Sequence, residues 1–315
     1  MARHIIFVHG RSYKPEATYL KRNWTEALGH GLERDHGKRV RTRYNGVKKT
    51  MAYYGDLSND FLSKSSGTRW TKKKNDADKL DRRETLRTLK TYQKNEFTKN
   101  NYRNVKDYSA IFDNVADIIS GPLSLLGIGD ALIETFAPDM AHYWDNDKQW
   151  GSDVRWRVTV PLERALKAGD DVLLISHSLG TIASYDVLWK FSHYGEYQHI
   201  RDRKVSLLIT MGSPLGDDNV NKQLKGADLD SDRRFPGNID RWINVAARDD
   251  YIAHDDTLDN DFKKMLKRGL VKSITDKDVY NLAVRDGKSN PHHSAGYLIT
   301  PTISKIVKDW LGYQV

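Results

Sequence analysis

Residues 171–189 run Asp171-Val172-Leu173-Leu174-Ile175-Ser176-His177-Ser178-Leu179-Gly180-Thr181-Ile182-Ala183-Ser184-Tyr185-Asp186-Val187-Leu188-Trp189. The unbroken apolar stretch from Val172 to Ile175 reads as a strand buried on both faces, the pattern of a parallel sheet. Thr181 to Trp189 reads as a helix. Between them Ser178 stands at a sharp strand-to-helix turn with a glycine two residues later, which is the form of a nucleophile elbow. Such a turn strains the backbone of its central residue and brings strand and helix nearly into contact. The neighbouring side chains must be small, as Gly180, Ala183 and Ser184 are. On the strand side Ser176 stands where a first glycine is usual, so the pattern is S-x-S-x-G.

Outward from this segment, further strands and helices alternate. Ile5-Ile6-Phe7-Val8 reads as a first core strand ending at His9-Gly10. Ala17, Leu20, Trp24, Ala27, Leu28, Gly31 and Leu32 follow at helical spacing, and Gly37 ends that helix. Arg39-Val40-Arg41-Thr42-Arg43-Tyr44 alternates in character and predicts a second or edge strand. Val205 to Met211 and Trp242 to Ala247 are further buried strands. The last helix starts at Pro301 with Thr300 as its N-cap and carries Ile303, Ile306, Val307, Trp310 and Leu311 as an apolar stripe. This order predicts an α/β fold, a mostly parallel sheet with helices on both faces. In such sheets chemistry gathers at the carboxyl ends of the strands.

Residues 47–149 differ in character from the core assigned to 1–46 and 150–315. From Arg69 to Lys106 the chain is dominated by Lys, Arg, Asn and Thr, with Leu80, Leu86, Leu89, Tyr92 and Phe97 at amphipathic spacing. From Ile111 to Phe136 it turns apolar, but Pro122 and the glycines around it break any continuous membrane helix. The whole segment reads as a largely helical cap inserted into the core.

Composition narrows the chemistry. Cysteine is absent, which excludes disulfides, thiolate metal sites and a cysteine nucleophile. The N-terminal apolar run is too short for a signal peptide or a membrane span, so a cytoplasmic location is expected. The net charge of +9 is met most simply by a solvated basic surface. Around Trp70-Thr71-Lys72-Lys73-Lys74 aromatic interleaving is sparse, which argues against nucleic acid. Peripheral contact with an anionic membrane through the basic insertion is the sharper alternative.

A serine hydroxyl needs an imidazole base, and the imidazole needs a carboxylate to fix its tautomer. The strand Trp242 to Ala247 runs straight into Arg248-Asp249-Asp250, so either aspartate stands just past a strand end. A histidine is expected in the loop before the last helix, where Asn290-Pro291-His292-His293-Ser294-Ala295-Gly296-Tyr297 lies. Adjacent histidines cannot both face one serine, and the residues alone do not separate them. The backbone N–H of Leu179, at a helix N-terminus, is a natural oxyanion donor. His177 reads as a packing residue and cavity wall. Asp249, Asp250, His254, Asp255 and Asp256 also form an oxygen-rich run, but without a recognised ligand spacing. Asp255, Asp256 and Thr257 read better as caps for a helix holding Phe262, Met265 and Leu266.

Together, the Ser176–Gly180 elbow, the Asp249-Asp250 pair, the Pro291-His292-His293 loop and His9-Gly10-Arg11-Ser12 resemble the α/β-hydrolase superfamily, specifically its bacterial serine esterase and lipase-like members. The resemblance covers residues 1–45 and 150–315. It implies a Ser178–His292–Asp250 triad, with His293 and Asp249 as the alternatives. It further implies Arg11 as the second oxyanion donor, Gly10 shaping that loop and His9 orienting it. The implied activity is carboxylester hydrolysis through an acyl-enzyme, on a small-molecule or lipid-like ester, with no cofactor and no metal. The apolar Ile118 to Ile128 stretch suggests a hydrophobic substrate part beneath the cap. Thioesterase or acyltransferase chemistry would use the same parts. A reading from another class is a non-catalytic binding protein that works through the basic insertion.

Overall fold

The structure, a computed structural model, describes residues 1–67, 69–105, 138–145, 147–253, 257–285 and 287–312. In chain order the first half contains β1 (Arg3–Val8), α1 (Ala17–His36), α2 (Lys38–Asn45), β2 (Lys48–Ala52), α3 (Gly55–Ser65), α4 (Lys72–Leu89), α5 (Lys99–Val105) and α6 (Pro138–Trp144). Then follow α7 (Trp150–Lys167), β3 (Asp171–His177), α8 (Leu179–His193), β4 (Leu207–Met211), α9 (Asp218–Gln223), β5 (Arg241–Ala247), α10 (Lys263–Lys267) and β6 (Ser273–Val279). A short hairpin of β7 (Val284–Arg285) and β8 (Lys288–Ser289) leads into α11 (Ser294–Leu298) and α12 (Pro301–Trp310).

Six strands form one sheet in the order β2-β1-β3-β4-β5-β6, every pair parallel. Alternate residues of each strand enter different cores, as strand geometry requires. Ile5, Phe7, Leu173 and Ile175 pack with α1, α11 and α12 on one face. Ile6, Val8, Val172 and Leu174 pack with α7 and α8 on the other. The α/β architecture expected from the strand and helix pattern is therefore present. The chain runs outward from β1 to β2 and then crosses to β3, so the strand order reverses between β1 and β3, where such sheets open a binding crevice at their carboxyl ends. Thr300 caps α12 by accepting from Ile303 N–H at 3.4 Å, with Pro301 opening the helix.

The second strand is not where the sequence predicts it. Arg39 to Tyr44 lies within α2, and the neighbour of β1 is β2, inside the stretch read as cap. Val40 and Tyr44, the buried residues of α2, are four apart, so a six-residue alternating run satisfies a helical face as well as a strand. The cap reading itself is covered in part. Leu86 and Leu89 are buried beneath α4, whereas Leu80 is exposed. The apolar Ile118 to Ile128 stretch lies outside the described residues, as do His254, Asp255 and Asp256. The helix they were expected to cap begins at Lys263 with Phe262 before it and no side-chain cap. Among the described residues no helix is long and apolar enough to cross a membrane.

The elbow depends on a close approach. A Cβ on Gly180 would lie 2.4 Å from the His9 carbonyl oxygen and 2.8 Å from that of Val8, both immovable backbone atoms. Gly180→Ala should therefore push α8 off the end of β1 and cost about 1–3 kcal/mol, read as a lower denaturation midpoint in urea at unchanged slope.

Candidate active site

Ser178 sits between β3 and α8 at φ 55° and ψ −132°, a conformation that L-residues rarely adopt. Its N–H donates to the Met211 carbonyl at 3.1 Å, and its own carbonyl accepts from Thr181 Oγ1 at 2.7 Å. Ser176, at the position of the missing glycine, is buried, and its hydroxyl shares a 2.6 Å hydrogen bond with Ser184 on α8. The departure from G-x-S-x-G is thus accommodated by a polar contact between strand and helix. Leu179 opens α8, so its N–H has no acceptor within the helix.

The loop after β1 lies directly against this turn. A Cβ on Gly10 would fall 2.6 Å from Ser178 Cβ and 3.1 Å from its Oγ. His9 braces the loop. Its Nδ1–H donates to the Gly10 carbonyl at 2.8 Å, while its Nε2 accepts the Tyr54 N–H at 3.1 Å. The His9 and Tyr54 rings stack at 4.0 Å, and the Tyr54 hydroxyl donates to the His9 carbonyl. Burial, reinforced by the charge of Lys14, pulls His9 down to about 3, so it is neutral at physiological pH. Lys14 folds back over the same loop, its ammonium donating to the carbonyls of Arg11, Ser12 and Tyr13.

The acid and the histidine meet at the carboxyl end of β5. His292 Nδ1–H donates to both oxygens of Asp250, at 2.9 and 2.8 Å. That fixes the tautomer and leaves Nε2 as the lone-pair nitrogen. Asp250 is buried, which alone would raise its pKa. The charge of His292 and hydrogen bonds from His292, Tyr297 and the Ile252 amide outweigh burial and hold it below the ordinary carboxylate value. A Cβ on Gly212, the residue after β4, would lie 2.8 Å from Asp250 Oδ2 and 3.0 Å from His292 Nδ1. Ser178 and His292 are thereby neighbours across Met211 and Gly212. Among the described residues no hydrogen bond joins Ser178 to His292.

The alternatives go elsewhere. Asp249 is exposed at φ 61° and interacts with Tyr102, not with His292. His293 is buried with neither ring nitrogen hydrogen-bonded. His177 packs its ring 4.5 Å from that of His292 and donates Nε2–H to the His292 carbonyl at 2.8 Å. Burial first, then the neighbouring cations, drive both His177 and His293 far below the usual imidazole range.

Two participants escape the sequence patterns. Tyr297, on α11, donates its hydroxyl to Asp250 Oδ2 and accepts the Ala247 N–H at 2.8 Å, locking the acid to β5. It stands in the Gly296-Tyr297 pair next to the histidine loop, but nothing local marks its hydroxyl as a carboxylate partner. Lys14 is the other, because its contacts are all to main-chain carbonyls. Compared with protein-family models, curated proteins and solved structures, the chain gives no match.

Tyr297→Phe should remove two hydrogen bonds at once and lower stability by about 1–3 kcal/mol. Unchanged stability in this variant would show the hydroxyl to be idle. A separate expectation concerns pH. His9, His177 and His293 have depressed values in the folded protein, so the unfolded chain binds their protons first. Stability is full above pH 6.5 and falls as pH drops below it, the His9 contribution being lost progressively toward pH 3. Urea titrations between pH 7.5 and 4.5 test this; a flat profile contradicts it.

Proposed function

We propose that this protein is a serine hydrolase of the α/β-hydrolase superfamily that cleaves carboxylic esters. The observation that carries the proposal is the buried Asp250–His292 pair beside a serine at positive φ, with both a helix N-terminus and the Gly10 loop against that serine.

Ser178 Oγ attacks the ester carbonyl while His292 Nε2 takes its proton. Asp250 stabilises the imidazolium without itself accepting the proton. The oxyanion is received by the N–H groups of Leu179 and Arg11, each such donor contributing roughly 3 kcal/mol to the transition state. His292 then protonates the departing alcohol. A water, deprotonated by the same imidazole, cleaves the acyl-Ser178 ester and restores the enzyme. Thioester cleavage and acyl transfer differ only in what leaves or what accepts the acyl group. The same parts call for no cofactor and take a small or lipid-like ester.

A fluorophosphonate should label the protein covalently at Ser178, and Ser178→Ala should abolish both labelling and p-nitrophenyl ester turnover. Asp250→Asn should keep the fold and lower kcat by about 10³–10⁴ by freeing the wrong tautomer. Labelling that survives Ser178→Ala, or the absence of both labelling and turnover in the natural protein, would overturn the proposal in favour of a binding role.

A further inference from the structure

The basic segment of the insertion reads as a solvated face, and Lys72, Lys73 and Lys74 on α4 are indeed exposed. The other side of α4 is docked. The Tyr19 hydroxyl donates to the Lys79 carbonyl, and Thr85 Oγ1 donates to the Val284 carbonyl at 2.9 Å. These bonds tie α4 to α1 and to the hairpin that precedes the histidine loop. Arg82 lies on this side with only 8 % of its side chain exposed. Asp78, one turn earlier, takes its Nε at 2.7 Å. The second oxygen of Asp78 faces Arg285 at 3.4 Å, and Asp81 meets Arg285 Nε at 2.9 Å. Arg82 is therefore anchored by its inner nitrogen. Nη1 and Nη2 donate to no group among the described residues. A guanidinium held this way presents an open fork to a planar oxyanion.

α4 packs against α11, the helix that follows the histidine loop, which sets the fork on that side of the candidate site. The charge of Arg82 reaches His9 on the Gly10 loop and His293 beside His292, the two walls of the site. The same region holds polar groups that the protein leaves unsatisfied: both ring nitrogens of His293, Asn290 Oδ1 in the same turn, and Trp24 Nε1, whose ring stands edge-on to His177 at 6.3 Å. Native proteins keep few such groups, and a cluster of them beside a nucleophile marks ground that a ligand or ordered water completes.

We infer that Arg82 holds a carboxylate or phosphate carried by the substrate, so that the preferred esters are anionic. The inference rests on the hydrolase reading and adds the substrate class to it. It also gives the insertion a role inside the site instead of on the surface.

Paired esters test it in a pH-stat. Monomethyl glutarate and methyl pentanoate differ by a carboxylate on the acyl side; 2-acetoxyethyl phosphate and butyl acetate differ by a phosphate on the alcohol side. In at least one pair kcat/KM for the anionic member should exceed its neutral twin by roughly ten- to one-hundredfold, and which pair responds identifies the source of the anion. Arg82→Gln should bring that ratio to about one. Arg82→Lys, which keeps the charge without the fork, should retain part of it; thermal melting reports whether each variant is folded. Equal treatment of both pairs by a protein that still labels at Ser178 overturns the inference and leaves the hydrolase standing. A preference that persists in folded Arg82→Gln also overturns it. Absence of turnover and of labelling brings down the hydrolase reading and this inference with it.

Discussion

The backbone of Ser178 at positive φ is the constraint on which the rest of the site depends. That conformation costs on the order of 1–3 kcal/mol for a residue with a side chain. It persists because three strand ends converge on it. The Met211 carbonyl fixes its N–H, Gly10 packs on its Cβ, and Gly180 lets α8 start within contact of the end of β1. Each contact joins segments far apart in the chain, so the turn exists only once β1, β3 and β4 are aligned in one parallel sheet. The core on both faces, built from large side chains such as Phe7, Trp24, Trp242 and Phe191, supplies the energy that holds this alignment.

The electrostatics around the turn separate one histidine from the others. His9, His177, His292 and His293 lie close together, yet only His292 meets a carboxylate. The remaining three are held low first by burial and then by nearby positive charge, Lys14 acting on all three and Arg82 on His9 and His293. A second imidazolium in this volume would raise the energy of the positive charge that the proposed mechanism places on His292. Neutral His9 and His177 instead serve as rigid hydrogen-bonding spacers, one holding the Gly10 loop and the other the His292 carbonyl. Tyr297 closes the arrangement by spending its single donor on Asp250.

Much of this was legible in the sequence where the signal is local. The Val172 to Ile175 run, the small residues after Ser178 and the aspartates past Ala247 each announce themselves within about ten residues. The residues alone leave Asp249 and Asp250 open; it is the turn after β5 that exposes the first and buries the second. What was not legible depends on distant partners. Arg39 to Tyr44 has too few residues for its period to decide, and only Gly37 and the packing of Val40 and Tyr44 against the core make it helical. Lys48 to Ala52 carries three polar residues and one methionine, an edge-strand composition that periodicity does not separate from loop. The hydroxyl of Tyr297 takes its role from Asp250 and Ala247, 47 and 50 residues away, while the ammonium of Lys14 turns to main-chain carbonyls that carry no sequence signal.

The basic insertion shows how far net charge can mislead when taken as a surface property. A helix rich in Lys and Arg satisfies solubility with its outer face alone, and the exposed Lys72 to Lys74 do so. Its inner face obeys a different rule, because a buried charge must be paired or must have a ligand in prospect. Asp78 pairs one nitrogen of Arg82 and then turns to Arg285, which leaves the guanidinium fixed in place but incompletely used.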